Sequence, residues 1–238
     1  MIMRMKPGAI IFDFGGTIDT NGVHWSEKFW DSYIYTNVPV TKTDYEEAYV
    51  SAGDKMLRGI VKPTFSFKQT IEVQIDLQLN WLVSKEIIDA ESVDQYLTSI
   101  LNYCYEDVIR TTSFLRPLLE KLHEHYPIAL VSNFYGNIGN VLKEFQIDHC
   151  FDRVIDSAVV GIRKPDPDIF LMGVNLLGVH PSDTLVIGDS YDRDIEPASK
   201  AGCKTAWLKG RSWRMQPEGE LADITINNLQ ELSLILEF

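Results

Sequence analysis

Short apolar runs that stop at a polar residue or a glycine recur along this chain, and each predicts a buried strand. The clearest are 10–12 before Asp13, 128–131 before Ser132 and 185–187 before Gly188. Further strands are predicted at 153–157, 204–208 and 223–226, and helices at 118–125, 137–146, 168–178, 193–201 and from about 228. Because strands and helices alternate with short links, the pattern predicts a mostly parallel sheet with helices on both faces.

Residues 21–110 have a different pattern, in which apolar side chains recur every three or four positions and predict amphipathic helices. A stretch at 59–64 that contains a glycine and a proline is a break between two of these helices. The apolar positions are Trp25, Phe29, Trp30 and Tyr33, then Ile71, Ile75 and Leu79, then Val93, Tyr96, Leu97, Ile100 and Leu101. The prediction is therefore a Rossmann-like α/β core from residues 1–20 and 111–238, with an inserted helical bundle at 21–110.

Polar side chains follow the predicted strands, at the edge where open α/β sheets bind ligands. A further candidate is a lysine in the loop at 161–168, where two prolines restrict the backbone. The candidates are Asp13, Ser132, Asn133, Lys164, Asp189 and Asp194. Each of them alone has an ordinary structural explanation as a strand-end cap, a turn, a surface lysine or an acidic helix start.

These residues fall in four motifs, which contain Asp13, Ser132 with Asn133, Lys164, and Asp189 with Asp194. Taken in order, the four motifs resemble the haloacid dehalogenase superfamily, most of whose members are phosphate-transferring enzymes. The resemblance covers about residues 7–20 and 111–225. It implies that residues 21–110 form a helical cap domain, that Asp13 is the nucleophile and forms an aspartyl-phosphate, and that Lys164 assists catalysis by orienting Asp13. It also implies two sets of binding residues: for phosphate, Thr17, Ser132, Asn133 and Lys164; for Mg²⁺, Asp13, the backbone of Gly15, Asp189 and Asp194.

Gly15 departs from the superfamily pattern, since most of its phosphatases have a second Asp at this position. Glycine keeps a backbone carbonyl for the cation, but it can neither protonate the leaving group nor activate water. General acid–base catalysis is worth ~10²–10⁴-fold, so the departure predicts a slow enzyme or one restricted to good leaving groups. Asp19 and His24 lie just downstream and are candidates for the missing group, together with water or the substrate itself.

Mg²⁺-dependent hydrolysis of a small phosphorylated metabolite is the favoured function, and Gly15 leaves alternatives open. Phosphonate-cleaving relatives have a small residue here and use a cap lysine, for which Lys55 is the candidate. Haloacid dehalogenation is disfavoured, because those relatives lack the Asp that stands here as Asp189. A non-catalytic module that binds a phosphorylated ligand or a protein partner is a further reading. Lys55 and Arg58 are also candidates for substrate selection by the cap. An equally weighted alternative is that they belong to a solvent-exposed helix face with no functional role.

Composition narrows the classes of partner. The 238 residues carry a net charge of −12, which disfavours nucleic acid and anionic membranes. An anionic substrate then needs local positive charge from a cation or from Lys and Arg. The three cysteines are widely spaced and form no C-x-x-C motif, which fits a reducing cytosol. The first apolar run is too short for a signal peptide or a membrane span, so a cytoplasmic protein is expected.

Overall fold

The computed structural model describes residues 5–213 and 222–237. The strands are β1 Ala9–Phe12, β2 Ile128–Ser132, β3 Arg153–Asp156, β4 Thr184–Gly188, β5 Lys204–Leu208 and β6 Ile224–Ile226. The α-helices are α1 Trp25–Thr36, α2 Lys42–Met56, α3 Phe67–Ser84, α4 Val93–His123, α5 Ile138–Glu144, α6 Ser157–Val160, α7 Asp168–Leu177, α8 Glu196–Lys200 and α9 Leu232–Ile235. Tight π-helical turns cover Phe14–Ile18 and Tyr191–Ile195, and 3₁₀ turns cover Ala90–Ser92, Asp148–Cys150, Pro181–Asp183 and Leu229–Glu231.

Within the described residues, the six strands form one parallel sheet in the order β3-β2-β1-β4-β5-β6. The order reverses between β1 and β4, because β2 and β3 are added on one side of β1 and β4, β5 and β6 on the other. Such a reversal opens a crevice at the carboxyl ends of the strands, where ligands bind in open α/β sheets. The fold class predicted from the sequence, a Rossmann-like parallel sheet with helices on both faces, is therefore confirmed.

Alternate residues of the central strands enter two different cores, as the twofold repeat of a strand requires. Ile10 and Phe12 pack on one face, with the apolar stripes of α4 and α5. Ile11 packs on the other face, with Ile169 and Phe170 of α7. Because both faces of the central strands are covered, β1, β2 and β4 are almost wholly apolar, which is why the sequence shows short continuous apolar runs there rather than alternation.

Helices α1 to α4 share the first of these cores with the sheet. Phe29 and Tyr33 of α1 are fully buried and belong to the same cluster as Ile10 and Phe12 of β1. Helices α2 and α3 each begin with a capping box, at Thr41 and at Ser66 respectively. The inserted segment therefore forms helices, as predicted, and its aromatic side chains pack over one face of the sheet.

Helix α4 differs from the prediction at its carboxyl-terminal end. The sequence placed a new helix at 118–125 after Pro117, whereas one helix runs without a break from Val93 to His123. Leu115, Leu119 and Leu122 are buried on both sides of the proline, and this packing stabilises a helix that propensity alone would end there. The division into a core of residues 1–20 and 111–238 and a cap of residues 21–110 stays a prediction.

The other predicted elements agree with the structure to within a few residues, apart from the segment at 193–201. There the chain first forms the π-helical turn Tyr191–Ile195, and only then α8. Among the described residues, no helix is both long and apolar enough to span a membrane.

Gly173 allows α7 to pack closely on the sheet. A Cβ at this position would lie 3.0 Å from Ile11 Cδ1 and 3.3 Å from Val131 Cγ2, so there is no room for a larger side chain. We expect Gly173→Leu to lower the free energy of unfolding by about 1–3 kcal/mol or more, because overpacking strains the interface. Urea unfolding measures the change.

Gly139→Leu is the matched control, since Gly139 is also helical and a Cβ there meets nothing within 4 Å. This variant should keep or slightly raise the stability, because Gly is a poor helix former. Equal stability of the two variants would contradict close packing at Gly173.

Candidate active site

The turn after β1 brings Asp13 and Thr17 together at the centre of the sheet edge. Asp13 is 5% exposed, and the Thr17 hydroxyl donates to its Oδ2 at 3.1 Å. The Asp189 backbone N–H, at the end of β4, donates to the same Thr17 Oγ at 3.1 Å. Thr17 therefore joins the ends of β1 and β4 and fixes one oxygen of the Asp13 carboxylate.

Gly16 is required by this arrangement for two reasons. Its φ of +93° lies in the left-handed region that non-glycine residues rarely adopt. A Cβ there would also overlap the Asp189 carboxylate. The close approach of the β1 turn to Asp189 therefore depends on glycine at this position.

Lys164 reaches the same point from the loop before α7. Its Nζ donates to Asp13 Oδ1 at 2.5 Å and to Asp194 Oδ1 at 2.6 Å, and the residue is 5% exposed. Burial alone would lower the pKa of Lys164, but the charges of Asp13 and Asp194 offset this effect and raise it. Lys164 is therefore a buried ammonium under two carboxylates.

The side-chain amide of Asn133 holds the backbone of Lys164 in place. Its Oδ1 accepts from the Lys164 N–H, and its Nδ2 donates to the Lys164 carbonyl, both at 2.9 Å. The predicted role in phosphate binding is therefore left to its backbone, because both ends of its side chain already have partners. Ser132, next to it, is 2% exposed and lines the cavity.

Asp13, Asp189 and Asp194 form the one cluster of potential metal ligands found among the described residues. Each offers a carboxylate oxygen, these oxygens lie within 4.8 Å of one another, and all three residues are buried. Burial raises the pKa of Asp189 and of Asp194, and the neighbouring carboxylates raise both further. Three acids against the single Lys164 ammonium leave an excess of negative charge, which fits a hard divalent cation.

The cavity beside this cluster has a volume of about 140 Å³. The cavity is lined by Gly15 and by all the predicted residues of the four motifs. Thr17 does not line the cavity, but it is hydrogen-bonded to Asp13, which does. The lining of the cavity consists of Asp13, Gly15, His24, Trp25, Tyr49, Phe67, Thr70, Ile71, Gln74, Ser132, Asn133, Phe134, Tyr135, Lys164, Asp189, Ser190, Arg193 and Asp194.

Lys55 and Arg58, predicted to select substrate, are not among the residues that line the cavity. Lys55 lies in the last turn of α2, and Arg58 follows the end of that helix and is exposed. The bundle instead presents one face of α3, which the sequence analysis missed. Its members follow helical spacing, which is the signal that could have found them: Phe67, Thr70, Ile71 and Gln74.

Asp19 and His24, the two candidates for the missing acid or base, are placed differently. Asp19 is 1% exposed and does not line the cavity; its carboxylate accepts from the Gly16 N–H and from Trp25 Nε1, each at 2.7 Å. His24 lines the cavity and caps α1, where its Nδ1 accepts from the Ser26 N–H at 3.2 Å. Of the two, only His24 is in a position to meet a substrate.

Comparisons with known proteins agree with these motifs. A family model described as haloacid dehalogenase-like hydrolase matches residues 7–202. The glyceraldehyde 3-phosphate phosphatase of Methanopyrus kandleri is 33% identical over 131 residues, which are 54% of this chain and 54% of that protein. The phosphoglycolate phosphatase of Aliivibrio fischeri is 32% identical over 133 residues, 53% of this chain and 57% of that one. The matched part of this chain thus spans about half the length of these curated relatives.

A solved structure is similar over almost the whole chain. The magnesium-bound crystal structure of YfnB from Bacillus subtilis aligns with a TM-score of 0.57 and 18% identity, covering 97% of this chain and 99% of that one. At this identity the match supports the fold, including the helical segment at 21–110, and says nothing further about substrate.

Burial raises the pKa of Asp19 to about 7, against the lowering effect of its hydrogen bonds from Trp25 and Gly16. In the unfolded chain this carboxyl titrates near its ordinary value of 3.8. Between those two values the unfolded state has lost the proton and the folded state still holds it. Stability should therefore fall as pH rises through this window, on the order of 1.4 kcal/mol per pH unit, and level off above it.

We expect this contribution to disappear in Asp19→Asn. The free energy of unfolding of both proteins can be measured in urea at about pH 5 and about pH 8, with a chelator present to remove bound cations. The wild-type value minus the variant value should be smaller at the higher pH. A difference that does not change with pH would mean that Asp19 is already ionised at the lower one.

Proposed function

We propose that this chain, which belongs to the haloacid dehalogenase-like hydrolase family, is a Mg²⁺-dependent phosphohydrolase of a small phosphorylated metabolite and works through an aspartyl-phosphate on Asp13. The observation that carries this proposal is the convergence of Asp13 with Lys164, Asp189 and Asp194 at the strand-order reversal. The two relatives described above are phosphatases of small phosphorylated metabolites, and this supports the substrate class.

Asp13, Asp189 and Asp194, together with the backbone of Gly15, would hold the cation. When bound, it neutralises phosphate charge and helps to align the ester with the attacking oxygen. The magnesium in the YfnB structure, which has the same fold, supports this choice of ion. The raised pKa values of Asp189 and Asp194 support it too, because such a site gains from a positive charge.

Asp13 attacks phosphorus with a carboxylate oxygen while the bond from phosphorus to the ester oxygen breaks. The two hydrogen bonds that it accepts, from Thr17 and from Lys164, hold the carboxylate in one orientation. Lys164 also supplies positive charge next to the phosphoryl oxygens, and Ser132 and the backbone of Asn133 supply neutral donors. Fixed orientation and charge of this kind account for much of the rate of such reactions.

Gly15 determines where the protons go. The ester oxygen leaves with the bonding electron pair and, because Gly15 has no acid, takes its proton from water. In the second step water attacks phosphorus, the acyl phosphate bond to Asp13 breaks, and inorganic phosphate forms. The proton that this water loses needs an acceptor, and His24 is the candidate because it lines the cavity while Asp19 does not.

The alternatives have less support. Phosphonate cleavage through a cap lysine would need an amine in the cavity, but Lys55 does not line it. Haloacid hydrolysis stays disfavoured, because the dehalogenases of the family lack the acid that stands here as Asp189, and Asp189 is part of the carboxylate cluster. A binding module without turnover can be excluded only by measuring catalytic turnover, which is the purpose of the next experiment.

We expect Asp13→Asn to reduce Mg²⁺-dependent phosphate release from an aryl phosphate by about 10⁴-fold or more, as removal of a nucleophile does. The aryl ester is chosen because its leaving group needs no acid. Circular dichroism should show an unchanged fold, since the amide keeps the shape of the carboxylate.

Asp192→Asn is the control, because Asp192 lies in the same segment as Asp194 but is exposed and does not line the cavity. It should keep its activity. Equal activity of Asp13→Asn and wild type would disprove the nucleophile, and no release by wild type would favour the binding module.

Gly15→Asp should raise turnover of alkyl phosphates by up to ~10²–10⁴-fold and that of aryl phosphates much less, because it restores the acid. The backbone allows this change: φ is −77° at Gly15, and a Cβ would touch only Trp25, at 3.8 Å. Steady-state kinetics on one ester of each kind test this. An equal gain for both esters would show that leaving-group protonation does not limit the wild type.

A further inference from the structure

Aromatic side chains make up much of the cavity wall beside the carboxylates. They come from α1, α2, α3 and the segment after β2, and they are Trp25, Tyr49, Phe67, Phe134 and Tyr135. Phe134 is 8% exposed and packs edge-on against Phe14 with ring centroids 5.9 Å apart, so its position is fixed by the core. A group that enters this cavity therefore meets aromatic surfaces on several elements.

Trp25 lies directly beside the place of the missing acid. A Cβ at Gly15 would be 3.8 Å from Trp25 Cδ1 and 4.0 Å from its Nε1. The indole is held by its hydrogen bond to Asp19 and by ring contacts with Phe29 at 4.9 Å and Phe67 at 5.7 Å. The space that a second carboxylate would enter is therefore bordered by the edge of a fixed indole ring.

The described lining offers no carboxyl group to a leaving oxygen. Its acids are Asp13, Asp189 and Asp194, and all three are committed to the nucleophile and cation cluster. Asp19, the other carboxyl of the turn after β1, does not line the cavity and already accepts two hydrogen bonds, from the Gly16 N–H and from Trp25 Nε1. His24 also lines the cavity, but its Nδ1 already accepts from the Ser26 N–H at the start of α1. An ester whose leaving group must be protonated as it departs therefore meets no carboxylic acid here and would be hydrolysed slowly.

We infer that the substrate is a phosphate monoester of an aromatic hydroxyl, a phenol or a hydroxylated heteroaromatic ring. This inference rests on the proposed function and narrows its substrate class. A phenol ionises at about pH 10, as tyrosine does, so it can leave as its anion. Its flat ring also matches the cavity wall, since aromatic rings attract one another edge to face or offset.

The electron balance of the step needs no acid from the protein. Asp13 forms a bond to phosphorus, the bond from phosphorus to the aryl oxygen breaks, and the electron pair stays on the aromatic oxygenate. The ring delocalises this charge, and water protonates it after departure. An alkoxide has no such delocalisation, so the same site is poor for alkyl esters.

Wild-type kcat/KM for phenyl phosphate and for glycerol 1-phosphate, each with Mg²⁺, tests the inference. We expect the aryl ester to be preferred by at least about 100-fold, the lower end of what a general acid contributes. Similar values for the two esters would overturn the inference and leave the phosphohydrolase intact. No release from either ester would instead reject the proposed function.

A binding measurement separates recognition of the ring from leaving-group chemistry. Asp13→Asn should still bind esters without turning them over, so calorimetry can compare phenyl phosphate with glycerol 1-phosphate. We expect the aromatic ester to bind at least about tenfold more tightly, because it gains ring contacts. Equal affinity for the two esters would contradict recognition of the substrate ring by the aromatic side chains of the cavity.

Phe134→Leu tests the wall itself, and Phe151→Leu is its matched control. Both phenylalanines are 8% exposed, but only Phe134 lines the cavity. The Phe134 variant should raise KM for phenyl phosphate several-fold and leave KM for glycerol 1-phosphate unchanged, whereas the Phe151 variant should change neither. Equal changes in KM for both esters in the Phe134 variant would indicate a structural effect and contradict ring recognition.

Discussion

Three buried carboxylates share one buried ammonium, and the rest of the site depends on this imbalance of charge. Acids that lie within 4.8 Å of one another repel, so they stay together only if the backbone holds them and if positive charge offsets part of their own. Gly16 and Thr17 hold the turn after β1 against the end of β4, and Asn133 holds the backbone that carries Lys164. Each of these residues therefore holds a charged side chain in its position.

The sheet explains why charges from distant parts of the sequence meet. β1 pairs with both β2 and β4, so side chains that follow these three strands emerge side by side. The same face of the sheet that packs under α4 and α5 continues into the aromatic core of α1 to α3. The carboxylate cluster and the aromatic side chains of the cavity therefore depend on one continuous core, and a change in that core can alter both.

The sequence was sufficient to predict the strands and the four motifs, because a strand covered on both faces must be apolar and ends visibly at its first polar residue. Local signals predicted long-range contacts less well. Pro117 looked like a helix end, but tertiary packing carries α4 through it. Asp19 was a candidate for the missing acid, yet it is buried and hydrogen-bonded to Trp25, and nothing in the neighbouring sequence indicates this burial.

Binding roles were the hardest to predict for a related reason. Asn133 was assigned to phosphate from its place after a strand, and this stays a prediction for its backbone N–H; what the sequence did not indicate is that its side chain binds the Lys164 backbone, 31 positions away. Lys55 and Arg58 were candidates because they lie in a polar stretch where the caps of the superfamily select substrate, whereas α3 lines the cavity with Phe67, Thr70, Ile71 and Gln74. The position of a polar stretch in the sequence suggests binding residues, but which face of a helix lines the cavity depends on how that helix packs.

The glycine at position 15 has a consequence for timing. Under the proposed function, phosphorylated Asp13 would wait for water that no neighbouring carboxylate activates, and its lifetime would lengthen accordingly. A long-lived acyl phosphate partitions between water and any other nucleophile that reaches it, so alcohols bound in the cavity could compete as acceptors. The same glycine that limits hydrolysis would then favour phosphoryl exchange between hydroxyl compounds, and the ratio of transfer to hydrolysis would depend on acceptor concentration.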